Sequence, residues 1–324
     1  MVSIVVIGYN EANNLHDTFK AINSIIYPKE LIYVDTNSID NSVEIAKKYT
    51  NKVFVEKREW STPGLARNRG LIEAKFDIVH FIDGDITIDK DYIKKAVDKI
   101  QEPNIDAVYG FLEEKSSEGV NNVLLTHWAG RKEGYHKATG AGGTYLKSAL
   151  LSVNGYDERI RRGEETELGE RFLNAGFKIW FMEERMGEHD YGVKTVVGLI
   201  KIFFFDGFNK SQIYLTNGRT EFYKLNKRNS ISNLLFFFIL TIVFSILLYF
   251  TGFFAFFYVL ILYYSYFVFK YLIMRKHRDI KKIKYFFMMY SFKIVTLIGQ
   301  IIFFIKATNK NYRNSVVVEK DKLT

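Results

Sequence analysis

Over the first hundred residues, apolar runs of strand length alternate with segments of helical spacing. Residues 3–7, 31–35, 52–56 and 78–82 read as strands, and residues 12–26, 41–49 and 63–75 as the helices between them. Pro63 suits the first turn of its helix, with Ser61 or Thr62 as cap, and Asn41 after Asp40 gives another helix start. Strands alternating with short helices imply βαβ units and a mostly parallel sheet. Farther along, residues 165–175 read as a helix and 178–181 as a strand. Residues 112–140 are polar and glycine-bearing with little periodicity, so a functional loop is expected there.

The pattern changes beyond residue 192. From Asn229 to Phe269, 41 consecutive residues carry no charge, where one spanning helix needs about 20. The run is rich in Phe and Leu on every face, and Thr251-Gly252 lies near its middle, so it reads as a transmembrane helical hairpin over 231–272. Residues 285–305 form a third apolar segment, interrupted by Lys293 and Gln300, that either spans or lies in the interface. Residues 193–228 mix apolar triplets with Lys194, Lys201 and Lys210 and read as an interfacial amphipathic helix and linker. A last core helix of the preceding domain is the other reading. The expected organisation is an α/β domain over 1–192, this interfacial segment, a membrane region over 229–306 and a basic tail over 307–324.

Charge gives the orientation. Residues 194–228 carry seven Lys/Arg and residues 270–284 seven more. Lys and Arg favour the cytoplasmic side, so a multi-pass protein with a cytoplasmic N-terminal domain is expected. The five Lys/Arg after Ile305 oppose a third span, which would place them outside. The net charge of +9 is unevenly divided: residues 1–192 hold 25 Lys+Arg against 31 Asp+Glu, and residues 193–324 hold 20 against 5. A uniformly basic nucleic-acid binder would not divide this way, so membrane lipid is the expected partner and nucleic acid is not. The absence of cysteine excludes disulfides, thiolate zinc sites and a cysteine nucleophile. The chain opens directly on a strand, so no signal peptide is expected.

Candidate chemistry gathers at strand ends. Asp83-Gly84-Asp85 follows the run 78–82, at the edge where open α/β sheets bind ligands. Paired carboxylates there suit Mg²⁺ or Mn²⁺ held between protein and substrate phosphates, although an acidic β-turn is the plainer reading. Gly8-Tyr9-Asn10-Glu11 and Asp35-Thr36-Asn37-Ser38-Ile39-Asp40-Asn41 end the first two strands on the same edge. Together they could hydrogen-bond a nucleoside, though Asn, Asp and Ser favour turns in any case.

These motifs continue in order through Pro63-Gly64-Leu65-Ala66-Arg67-Asn68-Arg69-Gly70, Thr139-Gly140-Ala141-Gly142-Gly143-Thr144 and Gly155-Tyr156-Asp157-Glu158. Gly163-Glu164-Glu165-Thr166-Glu167-Leu168, Gly176-Phe177 and His189 complete the series. Over roughly residues 1–190 the chain resembles glycosyltransferase family 2 with a GT-A fold, a Rossmann-like, mixed, mostly parallel sheet. The resemblance implies that Tyr9, Glu11 and Asp35 hold the base and ribose of a UDP- or GDP-sugar and that Arg67 closes that pocket. It implies that Asp83 meets ribose or metal, that Asp85 ligates Mg²⁺ or Mn²⁺, and that His189 completes the metal site or touches the diphosphate. Gly142 and Gly143 would let the backbone approach the donor sugar. The family's acidic pair falls on Glu164-Glu165, with Glu165 where an aspartate general base is usual. The choice of base among Glu164, Glu165 and Glu167 stays open, as does the reading of all three as an acidic first helical turn.

Other residues have two readings. Arg159, Arg161 and Arg162 either meet an acceptor phosphate or form a solvated, self-neutralising face. His127-Trp128 either faces the acceptor or packs. The Gln-x-x-Arg-Trp motif of processive synthases is absent, so a single-sugar transfer is expected; the resemblance implies inversion, and the membrane region points to a lipid-linked or membrane-proximal glycan acceptor. A polyprenyl-phosphate transferase and an inactive membrane scaffold of the same fold are the alternatives.

Overall fold

The computed structural model describes residues 1–57, 61–115, 131–190 and 195–210, with short helical stretches between 295 and 306. The expected hairpin over 231–272, most of 285–305, the tail and His127-Trp128 lie outside the described residues. Among those described, no helix is long and apolar enough to cross a membrane.

The first half follows the expected alternation: β1 (Val2–Gly8), α1 (Leu15–Ser24), β2 (Lys29–Asp35), α2 (Ser42–Ala46), β3 (Val53–Val55), α3 (Pro63–Glu73) and β4 (Ile78–Asp83). Then come β5 (Ile86–Ile88), α4 (Tyr92–Ile100), β6 (Ala107–Glu114), β7 (Gly134–His136), β8 (Gly143–Leu146) and α5 (Lys147–Ser152). The series closes with α6 (Glu164–Asn174), β9 (Ile179–His189) and α7 (Val196–Lys210). One mixed sheet runs β3-β2-β1-β4-β8-β6-β9-β5, with β7 paired to β9. The β1–β2, β1–β4, β2–β3 and β6–β9 pairings are parallel. Those to β8, β5 and β7 are antiparallel.

Both faces of the sheet are covered, which explains why β1 is apolar throughout rather than alternating. Val2, Ile4 and Val6 pack with Phe19 and Ile22 of α1 and Ile93 and Val97 of α4. Val5 and Ile7 point the other way, into a second core with Ala66 and Leu71 of α3 and Leu168 and Phe172 of α6. Thr62 caps α3 by accepting from Leu65 N at 3.2 Å, with Pro63 in the first turn as expected.

Two expectations are corrected. The stretch 112–140 is not irregular throughout, because β6 continues to Glu114 and β7 occupies 134–136. The strand foreseen over 178–181 is the start of the eleven-residue β9. Its charged centre disguised it: Arg185 is a strand residue whose guanidinium bridges Asp89, Glu113 and Glu188 at 2.5–2.7 Å.

Candidate active site

Strand register assembles the site. Gly8 lies opposite Asp35 and Ile7 opposite Asp83, so the first three polar motifs stand in one row at the C-terminal ends of β1, β2 and β4. The chain leaves β1 for β2 on one side and returns to β4 on the other, and such a switch opens a crevice in α/β sheets. A cleft of about 600 Å³ occupies this place, lined by Tyr9, Glu11, Thr36, Asn37, Asp83 and Asp85 among others.

The first two loops are laced together. Asn10 N donates to Ser38 Oγ at 2.8 Å, Glu11 N to Ser42 Oγ at 2.9 Å and Ala12 N to Asp40 Oδ2 at 3.0 Å. Asn10 and Asn37 adopt left-handed backbone, which asparagine tolerates better than most residues. Asp35 is fully buried and does not line the cleft. Its carboxylate accepts from Tyr33 Oη at 3.0 Å, Ser38 N at 2.7 Å and Ser38 Oγ at 2.6 Å. In this structure it therefore shapes the 36–42 loop rather than presenting itself to a ligand.

Gly84 is closely packed. A Cβ there would lie 3.1 Å from Glu11 Cγ and 3.2 Å from Ile7 O. Beside it, Asp85 Oδ2 lies 3.0 Å from His189 Nε2. Asp85 Oδ1 is buried and has no hydrogen-bond partner among the described residues, a state that costs free energy unless a ligand arrives. A hard cation fits that oxygen. No group of three His, Asp or Glu among the described residues forms a ready-made metal cage. Asp83, Asp85 and His189 are thus not preassembled around one point, because Asp83 is drawn toward Arg67. Mg²⁺ and Mn²⁺ sites completed by substrate phosphates need only one or two protein carboxylates.

Arg67 is the hub of the site. Its side chain is buried, and Nη1 donates to Glu164 Oε1 at 2.7 Å while Nη2 donates to Asp83 Oδ1 at 2.8 Å. Glu165 Oε1 lies 3.6 Å from Nη2, and the guanidinium stands 5.4 Å from the Tyr156 ring centroid. Arg67 therefore does not close the pocket as expected; it joins the Asp83 end of the site to the acidic pair from beneath.

The three glutamates of α6 separate by environment. Glu167 is buried and grips Arg171 with both oxygens at 2.6 Å. Glu164 is buried against Arg67. Glu165 keeps 18% of its side chain exposed. Burial, then the charge of Glu164, push the Glu165 carboxyl up to about 8, against the pull of Arg67. Burial, then Asp85, push Glu11 up to about 7, and burial also raises Asp83.

Gly142 and Gly143 do not line the cleft. The space a Cβ would take at Gly142 is filled by Phe81 O at 3.0 Å and the Met186 side chain, and at Gly143 by the Tyr145 ring. Their smallness serves protein packing. Among the three arginines before α6, Arg159 is bonded to Asp157, and Arg162 lies 3.8 Å from Asp206. Arg161 lines the cleft, a separation that spacing alone did not reveal.

The family model described as Glycosyl transferase family 2 matches residues 3–154. Glycosyltransferase AglE of Haloferax volcanii is 32% identical over 207 residues, covering 58% of this chain and 66% of that protein. The cholesterol galactosyltransferase of Borreliella burgdorferi is 33% identical over 111 residues, covering 33% of this chain and 31% of that protein. The chain thus spans about two thirds of the first of these relatives and about a third of the second. In fold, it is similar to the mannosyltransferase PcManGT from Pyrobaculum calidifontis, solved with GDP-Man and Mn²⁺. That likeness has a TM-score of 0.65 at 14% identity, covering 93% of this chain and 86% of the other. Glucosyl-3-phosphoglycerate synthase from Mycobacterium tuberculosis gives a TM-score of 0.51 at 17% identity, covering 66% and 78%.

Proposed function

We infer that this chain is a member of glycosyltransferase family 2, and from that premise we propose that it moves one sugar from a UDP- or GDP-sugar to a lipid-linked or membrane-proximal acceptor. The observation that carries the reading is Arg67, which ties the Asp83 end of the donor cleft to Glu164 and Glu165 in one buried cluster. Donor and acceptor chemistry need such adjacency.

Tyr9, exposed at the cleft mouth, offers a ring for the base, and Glu11 offers a carboxylate to the nucleoside. Asp35 holds the 36–42 loop that forms their far wall. Asp85 and Asp83, with His189 orienting Asp85, would hold Mg²⁺ or Mn²⁺. When bound, the cation would offset charge on the departing diphosphate. Glu165 takes the proton from the acceptor hydroxyl, whose oxygen bonds to the anomeric carbon as the bond to the phosphate oxygen breaks. A single displacement of this kind inverts the anomeric centre. Glu164 and Arg67 keep Glu165 in place.

The membrane part of the reading rests on sequence: the uncharged run from Asn229 to Phe269 and its basic flanks. Val197, Ile200 and Phe205 are exposed on α7 beside Lys201, as an interfacial helix would display them. The proposed location is a membrane with the catalytic domain on its cytoplasmic face.

The test is nucleotide release by the detergent-solubilised full chain. A panel of UDP- and GDP-sugars is offered with a membrane lipid extract, in Mn²⁺ or Mg²⁺ and then in EDTA. Metal-dependent release of one nucleotide, with label entering lipid, supports the reading. Absence of release with every donor contradicts it.

A further inference from the structure

We propose that Arg161 receives a substrate phosphate in the cleft and so sets substrate affinity. The inference rests on the transferase reading above and adds to it a residue that lies outside the donor, metal and acidic-pair motifs.

The cleft needs positive charge. Glu11, Asp83 and Asp85 all line it, Arg67 pairs with Asp83 alone among these from beneath, and a nucleotide-sugar brings a diphosphate into the same space. A divalent cation offsets only part of that charge, and like charges in a partly desolvated cleft repel strongly. Among the described residues, Arg161 is the one Lys or Arg in the lining. It is also exposed.

The surrounding backbone is built to present it. Asn68 clamps Tyr156 from both sides, accepting from its N–H and donating to its C=O, each at 2.8 Å. Thr62 Oγ1 donates to Glu158 O at 2.8 Å, fixing the loop to the start of α3. Arg159 folds back on Asp157, and Ile160 is fully buried. Between these anchors, Arg161 faces the cleft, four residues before Glu165 at the head of α6. A guanidinium suits phosphate because its planar donors match two phosphate oxygens at once.

Two phosphates could arrive there: the donor's diphosphate, or a phosphate carried by the acceptor. The experiment separates them. Full-length Arg161→Ala and Arg161→Lys are compared with wild type, and with Lys94→Ala, which removes the same charge on α4 outside the lining. UDP, GDP, uridine and guanosine are titrated calorimetrically in Mn²⁺. Transfer is then measured with polyprenyl phosphate in mixed micelles.

If the donor diphosphate binds Arg161, Arg161→Ala weakens UDP or GDP by about 10- to 100-fold, the range of one charge-assisted contact. Nucleoside binding stays unchanged, Arg161→Lys recovers part of the loss, and Lys94→Ala shows none. If the acceptor phosphate binds there, nucleotide affinity holds and KM for polyprenyl phosphate rises by a similar factor with kcat preserved. Affinity and KM both within twofold of wild type would overturn the assignment. A wild-type protein that binds neither UDP nor GDP would overturn the transferase reading itself, and the role of Arg161 with it.

Discussion

Replacing Arg67 by Met keeps most of the side-chain volume and removes the charge at the centre of the site. Glu164, 5% exposed, would lose its 2.7 Å partner, and Asp83 its 2.8 Å partner. Hydrogen bonds to charged groups contribute about 1.5–3 kcal/mol each, so the two contacts bound the loss at about 3–6 kcal/mol. Breaking one side of a buried ion pair costs about 3–5 kcal/mol. Asp83 is 29% exposed, and water would take up part of its share, which favours the lower half of that range. A loss of about 3–4 kcal/mol is then expected, from a total of about 5–15 kcal/mol for a domain. Equilibrium urea unfolding of the full chain in detergent, followed by circular dichroism, reads it. The deficit should shrink on acidification, because burial raises the Asp83 carboxyl and a protonated Asp83 no longer needs the guanidinium. Adding Glu164→Gln to Arg67→Met should restore part of the stability. A single variant within about 0.5 kcal/mol of wild type, the scale of an ordinary surface change, would refute the hub.

The raised Glu165 carboxyl, near 8 in the free protein, predicts a kcat/KM that climbs as pH passes through about 8, read from a pH–rate profile. A profile already flat above pH 6 would contradict this. For folding the sign is opposite: a carboxyl raised from 4.5 contributes stability below that value and loses it as pH rises toward 8. Urea midpoints should therefore fall across that window, and less so in Glu165→Gln. Gly70→Ala would set a Cβ 2.2 Å from Val5 Cγ1 where α3 crosses β1. Its unfolding midpoint should drop by about 1–3 kcal/mol despite alanine's better helix propensity. Glu167→Gln should lower stability by loosening Arg171, which also donates to Val153 O and Gly155 O. Its kcat should stay within a few-fold of wild type, whereas a dead Glu167→Gln would reassign the base.

The βαβ half was legible because each element carries a local signal. Apolar runs of strand length end in Gly8, Asp35 and Asp83, and Thr62-Pro63 opens α3. The same row of strand ends made the cleft legible before its geometry was known. What escaped depends on contacts distant in sequence. β9 carries Glu183, Glu184 and Arg185 at its centre, where Glu183 is exposed, Glu184 pairs with Lys95 of α4 and Arg185 pairs with Glu113 across the sheet. Arg67 reads as a pocket residue on a helix; its burial comes from Glu164, 97 positions away. Gly142 and Gly143 look like a ligand cradle until Phe81 O, Met186 and Tyr145 are seen to fill the space. Asp35 looks available in sequence, while its partners Tyr33 and Ser38 lie close by and occupy it.

The central claim is that Glu165 performs proton transfer while Asp83 and Asp85 serve the donor. The direct measurement is single-turnover sugar transfer by wild type, Glu165→Gln and Glu164→Gln, beside calorimetric nucleotide binding by each in Mn²⁺. The account predicts that Glu165→Gln binds the nucleotide within threefold of wild type yet transfers no sugar, and that Glu164→Gln retains measurable transfer. A dead Glu164→Gln beside an active Glu165→Gln would contradict it.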